Sequence, residues 1–393
     1  MAGPRAGPLW LRPAVLAGGA AVIVSLILVI VTGPQSSGGI AGSSASPVTS
    51  RASSVGGSSV GGVVDPTPSA SLPVSSSNRP ASTASPSTGP PASPGRFGLG
   101  LLIADRGNGR LLIVDDSKRI LWQFPGPGSL PKGQRFSADD AFIAPDGRTI
   151  VANDEAHQVI DRIDIVSRRV VWQYGHYGKA SPKIGYLHTP DDAYPLANGN
   201  VIVADIRNCR ILEISHAKKV VRHWGRAGSC GHRPPSSFNN PNGDTPLPDG
   251  GLLVTEIGGS RVVRLAPNGR IVFDIHVPVR YPSDAQLTLD GNVLVVDYSS
   301  PGAVLQVSPR GRVLWRYGPK TGSGRLDHPS LAIMLPDGTI ALNDDFRDRI
   351  VVIDPKTKRI VWQFGKTDAG GRSAGRLLTP DGIDLVPVGT RLN

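Results

Sequence analysis

The sequence contains few of the residues that build soft-metal and nucleotide sites. Only two of its 393 residues are cysteines, Cys209 and Cys230, and only two are methionines. So small a supply of soft ligands argues against a metal centre built on sulfur. Walker loops, zinc-finger spacings and dinucleotide fingerprints are also absent from the sequence. It therefore offers no motif for a nucleotide-binding enzyme.

Aromatic residues are missing from residues 33–96, and Asp65 is the only acid there. Serine, proline, glycine, threonine and alanine make up nearly all of this stretch. Such a composition cannot bury enough apolar surface to offset the entropy lost on ordering. The sequence therefore predicts a disordered linker over residues 33–96 and leaves open whether the linker is O-glycosylated.

Charge is missing from residues 14–32, an apolar run about long enough to cross a bilayer as a helix. Arg5 and Arg12 precede the run, and the next basic residue is Arg51. The positive-inside bias then predicts a cytoplasmic tail at residues 1–13, a single transmembrane helix at 14–32 and an extracytoplasmic remainder. The alternative is a signal peptide whose cleavage would release a secreted protein.

From residue 97 onward the sequence repeats itself. A short apolar run closed by an acid or amide recurs every 41 to 52 residues. The six copies are Leu101–Asp105, Thr149–Asn153, Val201–Asp205, Leu252–Glu256, Val293–Asp297 and Ile340–Asp344. Each copy lies in a unit of four β-rich runs, A to D, separated by turn residues such as Asp-Gly and Asn-Gly. Such units predict four-stranded antiparallel sheets in a repeat architecture.

The two ends of this region predict a closed ring. Residues from Thr379 onward form a strand A that no strand B follows, and Gly98–Asp105 form a strand B that no strand A precedes. Joined, they complete a sixth sheet, so the sequence predicts an all-β, six-bladed β-propeller over residues 97–393. Five of the six tryptophans fall on strand D and are expected to fill the space between neighbouring sheets. They are Trp122, Trp172, Trp224, Trp315 and Trp362.

The repeat resembles the NHL-type six-bladed propellers. The pattern is clearest in His328-Pro-Ser-Leu followed by Asp337-Gly, Asp344 and Arg349-Ile. The resemblance implies the propeller fold, in a family that includes protein-binding sensors, RNA-binding domains and metal-dependent lyases. Together, the membrane segment, the linker and the propeller resemble the extracytoplasmic sensor half of some actinobacterial receptor kinases. Residues 353–362 show a weaker similarity to quinoprotein repeats.

The D–A loops are long and the A–B turns are tight, so the face carrying the D–A loops is the expected functional face. Polar residues there should surround the mouth of the central channel. The candidate ligand-binding residues are Asp139, His188, Thr189, Asp191, Asn242, Asp284, His328 and Asp381. Either they bind a ligand, or converging strand ends simply need polar caps. Because side chains alternate along a strand, only one of Asp139 and Asp140 is expected to face the channel.

Cys209 lies in a B–C turn and Cys230 in the D–A loop that follows. Both positions belong to one blade and one face, and an extracytoplasmic location permits oxidation. We therefore predict a disulfide, with two free thiols as the alternative. The bond would hold one of the long loops.

These features favour a membrane-anchored binding or sensing module. Its partner would be a cell-envelope polymer, a small molecule or a protein, held at the D–A loop face. From residue 97 onward the sequence has 37 basic and 30 acidic residues, and this net charge of +7 favours anionic partners. An extracytoplasmic location argues against nucleic acid. No cofactor and no metal are predicted. The alternative is an extracytoplasmic lyase, hydrolase or sulfotransferase-like enzyme working at the channel mouth.

Overall fold

The computed structural model describes residues 95–392, which form six four-stranded antiparallel sheets. The predicted tail at 1–13, the predicted transmembrane helix at 14–32 and nearly all of the predicted linker at 33–96 lie outside the described residues. Within residues 95–392, no helix has the length and apolar character needed to cross a membrane. The innermost strand of each sheet contacts that of the next, which makes the six-bladed propeller that the repeat predicts.

Twenty-four strands build the six blades. Blades 1 to 3 contain β1 (Gly100–Asp105), β2 (Arg110–Val114), β3 (Ile120–Phe124), β4 (Ala141–Ile143), β5 (Thr149–Asp154), β6 (Val159–Asp164), β7 (Arg169–Gly175), β8 (Pro190–Pro195), β9 (Val201–Asp205), β10 (Arg210–Ile214) and β11 (Val220–Gly225). Blades 4 to 6 contain β12 (Pro241–Pro246), β13 (Leu252–Glu256), β14 (Arg261–Leu265), β15 (Ile271–His276), β16 (Pro282–Leu287), β17 (Val293–Asp297), β18 (Ala303–Val307), β19 (Val313–Tyr317), β20 (Ala332–Met334), β21 (Ile340–Asp344), β22 (Arg349–Asp354) and β23 (Arg359–Gly365). The last strand, β24 (Pro380–Val386), returns to blade 1.

The ring closes as the two chain ends predict. Strand β24 pairs antiparallel with β1, with Leu101 opposite Leu385 and Ile103 opposite Ile383. Blade 1 is therefore one C-terminal and three N-terminal strands, in the order β24-β1-β2-β3. Ile383 packs in a core cluster that also contains residues of blade 6, such as Ile350 and Phe364. The closing strand thus completes a sheet and also fills the wedge beside it.

Four of the strand D tryptophans donate a hydrogen bond to the next blade. The Trp122 indole N–H donates to the carbonyl of Ile165 in blade 2, at 2.8 Å. Trp172 does the same to His216 of blade 3, also at 2.8 Å. Trp362 of blade 6 donates to Asp116 of blade 1, at 2.9 Å, across the closure. The predicted packing role is therefore confirmed, and a hydrogen bond accompanies it.

The acids that close the repeated runs also make contacts that stabilise the fold. Asp105 pairs with Arg110 at 2.6 Å and accepts the Leu378 backbone N–H at 2.8 Å. Asp205 and Asp344 likewise pair with Arg210 and Arg349 and accept a backbone N–H from the end of the preceding loop. In blades 1, 3 and 6 the carboxylate therefore joins the start of strand C to the end of the incoming D–A loop. In blade 2 this acid is Asp154, which accepts the Ser137 N–H at 3.0 Å. The repeated run there extends to Asp154, one residue beyond the Asn153 expected from the sequence.

The predicted disulfide between Cys209 and Cys230 is present. It joins the B–C turn of blade 3 to the loop after β11 and encloses a sequence separation of 21 residues. In the chain-entropy view, a loop of this length stabilises the folded state by about 3 kcal/mol.

Replacing both cysteines, as Cys209→Ser with Cys230→Ser, should lower the free energy of unfolding by about that 3 kcal/mol. Urea unfolding of the full chain measures the change, and the wild-type chain unfolded under reductant serves as the matched control. Equal midpoints for the double variant and the oxidised wild type would show that the bond does not stabilise the fold.

Candidate functional site

Two sets of side chains meet where the channel opens on the D–A loop face. One set flanks the proline or equivalent residue at the start of the inner strands: Asp139, Asp191, Asn242 and Asp381 follow that residue, whereas Tyr281 precedes Pro282. The other set directly follows the acid that closes each strand B. We call the following residues the channel mouth: Arg106, Asp139, Glu155, Asp191, Asn242, Tyr281, Tyr298 and Asp381. In blades 3 and 4 the residue that follows the strand B acid is apolar, namely Ile206 and Ile257. The mouth is therefore polar on some sides and apolar on others.

Arg106 joins three carboxylates at the mouth. Its guanidinium donates to Asp381 at 2.6 Å and to Glu155 at 2.6 Å, and it also pairs with Asp139. Asp381 lies on blade 1, like Arg106, whereas Asp139 and Glu155 belong to blade 2. One arginine therefore ties two blades together and neutralises part of a dense negative cluster.

Asp139 and Asp140 both belong to this cluster, so the expectation that only one of them faces the channel is wrong. Carboxylate oxygens of Asp139, Asp140 and Asp191 all lie within 4.8 Å of one another. The expectation assumed the two-residue alternation of a regular strand. Strand β4 begins only at Ala141, so Asp139 and Asp140 precede the regular strand. The inner strands of blades 1, 3, 4 and 5 contain register shifts near the same place.

Another buried acid, Asp192 of blade 3, lies next to this cluster. Asp192 is only 2% exposed, and its Oδ2 atom has no hydrogen-bond partner among the described residues. A side chain at Gly243 of the next blade would approach that oxygen to 3.2 Å. A side chain at Gly382 would collide with the Asp140 Oδ1. The missing side chains at these glycines leave room for the two carboxylates beside the backbone.

Burial dominates the electrostatics of the site. It raises the pKa of Asp139 well above the usual carboxyl value, although the nearby Arg106 guanidinium acts in the opposite direction. Burial raises the pKa of Asp191 to about 7 and that of Asp284 to about 7. Burial and the neighbouring carboxylates Asp191 and Asp381 raise the pKa of Asp140. The channel therefore holds more carboxyl groups than its own cations balance, and burial favours the protonated form of several of them.

The opposite side of the mouth is aromatic. The Tyr281 hydroxyl donates to the Asn242 side-chain oxygen at 2.9 Å, and the Tyr281 and Tyr298 rings lie 5.3 Å apart. The His328 ring lies 4.9 Å from Tyr298 and 4.4 Å from Phe346. Phe346 is 50% exposed, although it is a large apolar side chain. Blades 5 and 6 thus present an accessible aromatic wall beside the carboxylates.

Side chains cross the channel at its deeper end. The Phe142 and Tyr194 rings stack with their centroids 3.9 Å apart. Gln286 of blade 5 donates to the Tyr194 hydroxyl of blade 3 at 3.1 Å, and to Asp284 at 3.0 Å. Asp284, a predicted mouth residue, therefore lies in this deeper network. A ligand approaching from the D–A loop face meets the carboxylates before it meets these rings.

Three of the predicted candidates lie at the rim. The His188 backbone N–H donates to Asp205 at 2.7 Å, and burial lowers the pKa of its imidazole. The His328 Nδ1 lies 2.6 Å from an Asp327 oxygen. Thr189 has a left-handed backbone with φ of 61°, and its carbonyl accepts the Ile206 N–H at 3.1 Å.

This conformation is unusual for a β-branched residue. It recurs before the inner-strand prolines at Asn240, His328 and Thr379. At these four positions, the polar residue that precedes strand A therefore belongs to a turn that recurs in the fold.

Sequence reasoning missed Arg106, Glu155, Tyr298 and Asp345, which share one column of the repeat. Each directly follows the acid that closes strand B. Aligning the six copies on that acid would have placed a charged or aromatic residue there in four blades. The signal was present, but it lay one position beyond the apolar run that defined the repeat.

No protein-family model matches the sequence, and a search of curated proteins finds no significant match. Among solved structures, the chain is similar to a protein of unknown function from Bacteroides caccae, with 19% identity over 72% of this chain and 97% of that chain, and a TM-score of 0.52. It is also similar to virginiamycin B lyase from Staphylococcus aureus, with 17% identity over 58% of this chain and 70% of that one, at a TM-score of 0.40. A chain of a nidogen–laminin complex gives 13% identity over 73% and 99%, at 0.48. At such identities the similarity shows the propeller fold alone.

Proposed function

We propose that this chain is a membrane-anchored, extracytoplasmic binding or sensing module that holds a cell-envelope ligand or partner protein at its channel mouth. The membrane anchor and the extracytoplasmic location rest on residues 14–32 and the arginines before them. As part of the same proposal, the chain is related to NHL-type sensor propellers, including those of receptor kinases.

One observation supports the channel mouth as the binding site. Buried carboxylates and Arg106 lie on one side of a single opening, and an accessible wall containing Tyr298, His328 and Phe346 lies on the other. Aromatic faces pack well against sugar rings and alkyl chains, and carboxylates pair with amines and sugar hydroxyls. This pairing suits an envelope ligand that carries both a ring and a positively charged group.

The alternative is a lyase, hydrolase or sulfotransferase-like enzyme at the same mouth. The observation that favours it is the close approach of Arg106 to Asp139, Glu155 and Asp381 beneath an open mouth. A guanidinium and several carboxylates in one concave site can serve acid–base chemistry as well as binding. Turnover of the bound ligand during the experiment below would favour this alternative.

Soluble peptidoglycan fragments, released from purified wall by a muramidase, are a suitable probe because they carry sugar rings and free amines. Isothermal titration of the full chain with this mixture should show saturable binding. Phe346→Ala should weaken it about fivefold, since loss of one aromatic contact costs on the order of 1 kcal/mol.

The matched control is Leu289→Ala, because Leu289 is fully exposed on an A–B turn of the opposite face. This variant should bind the fragments as the wild type does. Binding that is absent in the wild type, or equally weakened by both substitutions, would contradict the proposal.

A further inference from the structure

The buried acids of the channel are packed more closely than the binding function proposed above requires. Oxygens of Asp139, Asp140 and Asp191 lie within 4.8 Å of one another, and all three residues are at most 7% exposed. Ionised carboxylates this close repel one another strongly in a poorly solvated interior. The arrangement needs either bound protons or a bound cation.

The cations of the chain do not meet this need within residues 95–392. Arg106 makes its ion pairs with Asp139, Glu155 and Asp381, and none of these bonds reaches Asp140 or Asp192. Asp191 accepts a hydrogen bond from the Asn242 amide, which is neutral. Two of the carboxylates therefore lie beyond the reach of the guanidinium.

Asp192 supplies an independent indication of a ligand. Its Oδ2 atom is buried and without a hydrogen-bond partner among the described residues, although Asp192 is only 2% exposed. Such orphaned buried oxygens are rare, because desolvating a carboxylate without a partner is costly. The atom lies beside Gly243 of the next blade, where a side chain would fill the space next to it.

We propose that Asp139, Asp140 and Asp191, with Asp192 beside them, form a binding site for a hard divalent cation, and that calcium fits it best. Carboxylate oxygens are the ligands that calcium and magnesium prefer. Calcium tolerates irregular geometry and holds oxygens at about 2.3–2.6 Å, so ligands on opposite sides of the ion are about 5 Å apart. That spacing accommodates the three carboxylates as they stand.

Such an ion would link blades 2 and 3 at the channel axis. Asp139 and Asp140 belong to blade 2, and Asp191 and Asp192 to blade 3. Arg106 links blades 1 and 2 in the same layer. The ion would therefore rigidify the floor of the mouth, whatever the mouth itself binds.

The test uses the full chain stripped of metal with a chelator and titrated with calcium chloride at neutral pH. We expect one calcium ion per chain by calorimetry and a higher melting temperature on loading, with magnesium a weaker competitor. Asp140→Asn and Asp192→Asn should each weaken calcium binding at least tenfold. Asp146→Asn is the matched control, because Asp146 lies in an exposed A–B turn and its replacement can still accept the Arg148 N–H.

Absence of binding at millimolar calcium, magnesium and manganese, with equal melting temperatures for stripped and loaded chain, would overturn the proposal. Protons would then neutralise the carboxylates. If a variant fails to fold, the stoichiometry of the wild type still decides. No envelope fragment is present in this titration, so failure here is distinguishable from failure of the proposed function.

Discussion

A chain that ends at Thr379, and so lacks β24, is expected to lose the cooperative unfolding of the whole propeller. Removal of β24 exposes β1, whose six residues are all buried, and breaks the only pairing that closes the ring within residues 95–392. It also removes Ile383 and Val386 from two core clusters. Burial of each such side chain contributes about 1.5–3 kcal/mol, against a typical total stability of about 5–15 kcal/mol.

Circular dichroism melting and limited proteolysis measure this loss. The matched control is a chain that ends at Arg391, which keeps β24 and loses only partly buried Leu392 and the last residue. The control should melt cooperatively, with about 1 kcal/mol less stability. If the chain that ends at Thr379 showed a melting transition as sharp as that of the wild type, blade 1 would be stable without its inner strand.

Replacement of Arg106 is expected to have the next largest effect. Arg106→Leu removes the cation from Asp139, Glu155 and Asp381 and leaves their charges buried without compensation. Breaking a buried ion pair in this way usually costs about 3–5 kcal/mol. Arg106→Lys keeps the charge but lacks the planar fork that reaches several carboxylates, so its loss should be intermediate.

Chemical denaturation of the full chain gives these differences in the free energy of unfolding. Arg119→Leu is the matched control, because Arg119 pairs with Asp115 while its side chain is 77% exposed. Exposed pairs of this kind contribute less than about 1 kcal/mol. If Arg106→Leu were no more destabilising than Arg119→Leu, the mouth would not depend on its guanidinium.

The architecture could be predicted because each part of it corresponds to a pattern that recurs along the sequence. Six apolar runs give the number of blades, and the unpaired strand patterns at Gly98–Asp105 and after Thr379 give the closure. The strand D tryptophans recur because every blade presents the same wedge to its neighbour. The disulfide could be predicted because the repeat puts Cys209 and Cys230 in one blade and on one face.

The site was less accessible to the same reasoning. Asp139, Asp191, Asn242 and Asp381 could be placed near the channel because inner strands converge there. That Asp140 joins Asp139 depends on where β4 becomes regular, and alternation of side chains cannot reveal that. Similarly, Arg106 lies in a turn, where spacing alone does not specify the direction of a side chain. Irregular backbone therefore limited the prediction more than the repeat did.

The central claim is that the channel mouth on the D–A loop face is where this chain binds its ligand. Hydrogen exchange of the full chain, with and without muramidase-released wall fragments, tests it most directly. The account predicts slower exchange in the B–C turns at 106–109 and 155–158 and around Phe346, with the A–B turns unchanged. Slower exchange confined to the A–B turns, such as that of Leu289, or no change anywhere, would contradict it.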